Sequence, residues 1–113
     1  MKLIHSRQAQ KFILNDGCKA YEYPLGDKDI NGAIIKLNGR YPQKGYALNT
    51  VCKELAYIIE GNGTLTQGST NHELQTGDML LLLPGEKYYF EGRMTMLMPC
   101  TPAWYPEQHQ TVT

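Results

Sequence analysis

No stretch of this chain holds the ~20 consecutive apolar residues that a membrane-spanning helix requires, and Met1-Lys2-Leu3-Ile4-His5 lacks the apolar centre of a secretion signal. The expected location is therefore cytoplasmic. Charge of one sign is also missing. Lys plus Arg number 11 against 11 Asp plus Glu, which speaks against the broad positive field that holds nucleic acid or an anionic membrane. Any ligand recognition has to be local. Cysteine is sparse, with Cys18, Cys52 and Cys100 far apart and no CxxC pair, so neither a disulfide framework nor a zinc site is indicated. They read as reduced thiols serving as small apolar residues. Histidine is sparser in effect, because His5, His72 and His109 have no spacing that assembles a ligand set. Convincing helical periodicity is absent as well.

What is present is a succession of short strand-like runs cut by turn signals. Gly77 to Gly92, GDMLLLLPGEKYYFEG, places a turn before the apolar run Met79 to Leu83, a stop at Pro84-Gly85, and a resumed strand at Tyr88-Tyr89-Phe90. An apolar run that short, bounded by Gly and Pro, suits a buried strand. Upstream, Met1 to Leu14 reads as an edge strand or loose arm, Cys18 to Pro24 as a short strand stopped by proline, and Ala33 to Asn38 as another. Gly39 to Asn49 reads as a loop of the kind that lines a site.

Thr50 to Glu60 alternates Val51, Leu55, Tyr57 and Ile59 with Glu54, Ala56 and Ile58, so both faces are expected to be covered. Tyr57 has the opposite parity to Glu54 and should lie outside a barrel or in a dimer contact. Gly61-Asn62-Gly63 carries a tight hairpin signal. Met94 to Met98 reads as the last long strand, its methionines packing the core. With turn signals about every eight to twelve residues, the pattern is that of an all-β barrel or sandwich. The 113 residues fit one domain, 1–113.

Two motifs give a resemblance. Glu54 is followed by six residues and Gly61, while Gly77 is followed by five residues, Leu83-Pro84-Gly85 and Tyr88. Together these resemble the paired motifs of the cupin family, G(X)5HXH(X)3-4E(X)6G and G(X)5PXG(X)2H(X)3N. The resemblance covers roughly residues 33 to 98 and implies a double-stranded β-helix, a jelly-roll barrel of two antiparallel sheets, here with N-terminal strands at 1–32 and a C-terminal tail at 99–113. It also implies a homodimer, and a site at the open end of the barrel.

In the family that site holds a metal on three histidines and a glutamate. Here the first-motif histidines fall at Ala47 and Asn49, or at Leu48 and Thr50. Tyr88 stands at the second-motif histidine, Glu91 lies near the family's asparagine, and Glu54 alone keeps its family position. An amide oxygen, one carboxylate and a phenol are a poor set for a transition metal. No cofactor is expected, with weak Mg²⁺ or Ca²⁺ binding through oxygens left open.

The resulting expectation is a metal-free barrel that binds a small polar molecule, a sugar or sugar derivative, in its mouth. Glu54 and Tyr88 would supply acid/base chemistry of the isomerase or epimerase kind. Asn49, Cys52, Tyr41 and Tyr46 would contact the ligand, and Trp104 and His109 would be brought in by the tail. Two alternatives stay open: a metal-dependent dioxygenase or isomerase with atypical ligands, and a non-catalytic dimeric sensor or interaction module.

Overall fold

The computed structural model describes residues 1–113 as nine strands and two short 3-10 turns. In chain order the strands are β1 (Gln10–Asn15), β2 (Cys18–Glu22), β3 (Asn31–Tyr41), β4 (Tyr46–Asn49), β5 (Lys53–Gln67), β6 (Thr70–Gln75), β7 (Met79–Leu82), β8 (Tyr89–Thr101) and β9 (His109–Val112). No helix is long and apolar enough to cross a membrane. The main sheet runs β1-β2-β3-β8-β5-β6, with β7 also on β5, and a ribbon of β4 and β9 forms the second sheet. All pairings are antiparallel. This is the expected double-stranded β-helix.

The barrel is organised by its longest strands. β8 pairs with β3 from Asn31↔Cys100 to Tyr41↔Phe90 on one side and with β5 from Lys53↔Thr101 to Thr66↔Tyr89 on the other. A bulge between Ile58 and Glu60 bends β5. Its first half then pairs with β7 and its second with β6. Gly61-Asn62-Gly63 lies inside this strand and is not the expected hairpin. The glycines serve close approach there: a Cβ on Gly61 would run into Arg93 O of β8. The chain reverses later, at Gly68-Ser69, where Gly68 has φ +58°.

Two further expectations are corrected. Gly39 to Asn49 is mostly strand, because β3 continues to Tyr41 and β4 begins at Tyr46. The tail is also strand: β9 pairs with β4 from Tyr46↔Val112 to Asn49↔His109. Ala47 and Tyr88 exchange backbone hydrogen bonds of 2.8 and 2.9 Å, which ties this ribbon to the segment entering β8.

Alternation puts Ala56, Ile58, Leu65, Leu82, Phe90, Met94 and Met96 inside, as their burial shows. The other face of β5 is not covered in the single chain. Leu55, Tyr57 and Ile59 are each more than a third exposed, so the apolar content of both parities does not mean burial on both faces here. Only 22 of 113 residues are buried. The barrel is filled at one end and hollow at the other.

Candidate functional site

The hollow end is a cavity of about 430 Å³ walled by β1, β2, β3, β5, β8 and the tail. Hydrophobic residues make up 14 of its 19 lining positions, so the wall is less polar than a site for a small polar molecule was expected to be. Glu54, Tyr88, Tyr41, Trp104 and His109 all line it. Five side chains singled out from four stretches of sequence thus converge.

Glu54 points inward because it shares the parity of Ala56 and Ile58 on β5. Its Oε1 accepts a 2.6 Å hydrogen bond from Asn49 Nδ2. No side-chain oxygen or nitrogen in the protein is both fully buried and unpartnered, so Oε2, which has no protein donor, opens to the cavity. Burial raises the Glu54 pKa above the usual carboxylate value, and the Asn49 hydrogen bond opposes that shift.

Tyr88 is 3% exposed and packs edge-on against Phe90, ring centroids 5.4 Å apart. Its hydroxyl has no protein partner and, by the same reasoning, opens to the cavity. Burial, with the Glu54 charge adding to it, holds its pKa well above the ordinary phenol value. It stays protonated, as a donor.

A hydrogen-bonded chain supports the carboxylate from behind. Because Asn49 Nδ2 faces Glu54, its Oδ1 turns the other way and accepts from Gln108 Nε2 at 2.9 Å and His109 Nδ1 at 2.8 Å. His109 Nε2 is then the acceptor for the Tyr41 hydroxyl, 2.9 Å away. Burial lowers the His109 pKa and, with smaller effects from Cys18 and Glu54, pushes the Tyr41 pKa up to about 12. Both groups are therefore neutral at physiological pH. Trp104 leans on the His109 ring at 5.5 Å between centroids and donates its backbone N–H to Asn31 Oδ1.

Asn49 lies behind the wall, 1% exposed. It is off the cavity lining, with its amide held on the Glu54 carboxylate. Cys52 is also off the wall: its backbone N–H donates to Gln108 Oε1 and its thiol donates to Pro102 O at 3.4 Å. Tyr46 lies outside the cavity, packed on Tyr89, whose ring also carries the Arg40 guanidinium at 3.8 Å. Asn49 and Tyr46 are turned by the β4–β9 pairing, and Cys52 by its bonds to Gln108 and Pro102.

The sequence reading missed Gln108 and the N-terminal wall. Phe12, Leu14, Ala20 and Glu22 line the cavity from β1 and β2; the alternation of Phe12 and Leu14 with charged or outward residues was the available signal. Nothing local marks Gln108, since its partners lie more than fifty residues away. Its Oε1 accepts from Val51 and Cys52 N–H, and its carbonyl accepts from Thr50. A Gln108→Leu variant is expected to lose about 2 kcal/mol in urea unfolding, from buried groups left without partners. With Asn49 freed, the Glu54 carboxyl should titrate higher by ¹³C NMR; an unmoved titration would deny Gln108 its positioning role.

The donor set does not fit the family's metal. Ala47 has no donor atom, Asn49 Oδ1 and both His109 nitrogens are already engaged, and Tyr88 stays a neutral phenol. That leaves Glu54 alone at the family's ligand positions, and no three His, Cys, Asp or Glu side chains converge elsewhere.

Solved structures of similar shape come from several enzymes. Streptomyces Pac13 with uridine superposes with a TM-score of 0.87 at 16% identity, over 96% of this chain and 88% of that one; it is described as a nucleoside dehydratase. The polyketide cyclase RemF of Streptomyces resistomycificus has a TM-score of 0.78 at 14% identity, over 100% of this chain and 86% of that one. Ectoine synthase from P. lautus has 0.74 at 16%, over 100% and 91%. At these identities the likeness is one of fold. No curated protein sequence matches this chain. Residues 31–93 match the AraC-like ligand binding domain family, and with more than half its length in that match the chain belongs to that family, on a cupin barrel.

Proposed function

We propose that the barrel binds a small ring-bearing molecule, a sugar derivative such as a nucleoside, in its mouth and moves a proton on it without a metal. The observation that carries this is that two unpartnered polar atoms, Glu54 Oε2 and the Tyr88 hydroxyl, open into one largely apolar cavity. Uridine in the similarly shaped Pac13 barrel supports the ligand class. Glu54 Oε2 takes a proton from a carbon next to a carbonyl, and the Tyr88 O–H donates a hydrogen bond to the oxygen where negative charge develops. Return of that proton to the carbonyl carbon, as the adjoining hydroxyl proton passes to the former carbonyl oxygen, completes an isomerisation; epimerisation requires water to protonate the same carbon from its opposite face, with Glu54 then releasing its proton to solvent.

A thermal-shift screen of sugars, nucleosides and small ring compounds identifies ligands, because binding to the native state alone raises the melting temperature. Each is then incubated with the protein in D₂O. Carbon-bound deuterium detected by NMR is the expected result. Ligands that bind with no exchange would leave a sensor, not an enzyme.

The sensor reading has its own support in the outward face of the main sheet. Met79, Tyr57, Leu97 and Ile34 stand side by side across β7, β5, β8 and β3. The first three are 62%, 38% and 39% exposed. An uncovered apolar row on a barrel of zero formal charge suits a two-fold contact between copies. Sedimentation equilibrium is expected to give twice the 12.8 kDa chain mass, and Tyr57→Glu with Leu97→Glu to return it to one chain. A monomeric parent would refute the dimer and leave the cavity reading standing.

A further inference from the structure

The cavity wall carries acids and no cation. Its lining includes two carboxylates, Glu22 and Glu54, two phenols and two thiols, but no lysine or arginine. His109 is the only nitrogen base on the wall, and both of its ring nitrogens are spent on Asn49 and Tyr41. Burial keeps that imidazole neutral, and burial likewise raises Glu22. Lys11, Lys19, Lys36, Arg40, Lys53 and Lys87 each adjoin a lining residue in sequence, but all turn outward. The five lysines are exposed, Lys36 lying over the Tyr21 ring, and Arg40 is held by Pro42 O, Gly45 O and the Tyr89 ring. Nor does the fold offer a helix N-terminus, since its only helical pieces are two three-residue turns.

An anion entering this cavity would give up its hydration with no counter-charge to receive it. A neutral ring loses little and gains the aromatic and methionine wall; a cation gains Glu54 and Glu22 as well. We infer that the cavity, taken as the ligand site proposed above, selects uncharged or cationic ring-bearing molecules and rejects their phosphorylated, sulfonated or carboxylated counterparts. A nucleoside enters and its nucleotide does not; a free sugar derivative enters and a sugar phosphate does not.

A matched pair of fluorescent probes tests this whatever the natural ligand is. N-phenyl-1-naphthylamine is uncharged, and 1-anilinonaphthalene-8-sulfonate is the same anilinonaphthalene body with a sulfonate. The uncharged probe is expected to bind the full chain at least tenfold more tightly, roughly the least effect of an uncompensated buried charge. Ala33→Trp or Met98→Trp, each placing an indole in the cavity wall, should remove that binding, with circular dichroism confirming the barrel; two positions are used so that failure of one to fold leaves the other. Replacing both carboxylates, Glu22→Gln with Glu54→Gln, should narrow the gap between probes. Equal affinities for the two probes, both lost in the tryptophan variants, would overturn the charge selection and leave the cavity as a ligand site. Binding of the uncharged probe that is absent, or indifferent to both tryptophans, would overturn the ligand site itself and the selection with it.

Discussion

A Glu54→Gln barrel is expected to melt higher than its parent at neutral pH and to have lost proton transfer. Glu54 is 9% exposed, has one protein hydrogen bond and faces a wall without cations. Its raised pKa means that the folded state holds the proton more tightly than the unfolded chain does. Stability from this group is therefore complete below the ordinary value of 4.5 and is lost as pH rises through the folded pKa. Glutamine never ionises, and its Oε1 still accepts from Asn49 Nδ2.

Melting curves of the two proteins should accordingly coincide in acid and separate above that range, with the variant higher. Coincident curves at every pH would show that Glu54 is not a strained buried carboxylate. Deuterium exchange into a bound ligand should fall by about 10²–10⁴-fold, the usual worth of a general base. An exchanging Glu54→Gln protein would move the base elsewhere.

Gly92→Ala should produce a large loss of stability. Gly92 pairs with Gly63 between β8 and β5, at φ +134°, where side-chain-bearing residues are rarely found. A Cβ there would lie 2.5 Å from Gly63 Cα and 2.8 Å from Asn62 O. Both obstacles are backbone, so relief requires the two central strands to part. A cost of about 3 kcal/mol is expected from strain and lost packing, which lowers the melting temperature by roughly 12–20 °C for a chain of this size. Gly32→Ala is the control, because a Cβ at Gly32 meets nothing within 4 Å. A Gly92→Ala protein as stable as the Gly32→Ala control would refute the close approach.

The glycines show how local signals mislead. Asn between two glycines is the composition of a hairpin, yet at residues 61–63 the same composition lets a single strand bend and lie against another backbone. Composition reports that side chains are missing; it does not report whether a turn or a neighbouring strand needs the space. The polar chain behind Glu54 is legible in the sequence only in pieces. Asn49 and Glu54 are five residues apart, near enough for the motif to bring them to one site, but Gln108 and His109 reach them only through the β4–β9 ribbon.

By itself the sequence determined the all-β class, the shared parity of Glu54, Ala56 and Ile58 opposite Tyr57, and the replacement of the motif histidines by Ala47, Asn49 and Tyr88. Those properties rest on period-two alternation and residue identity, which are local. Tertiary structure decided that the tail returns as a strand, that Cys52, Tyr46 and Asn49 stay off the cavity wall, and that no cation reaches it. These depend on pairing between segments far apart in the chain, where register sets which way each side chain faces.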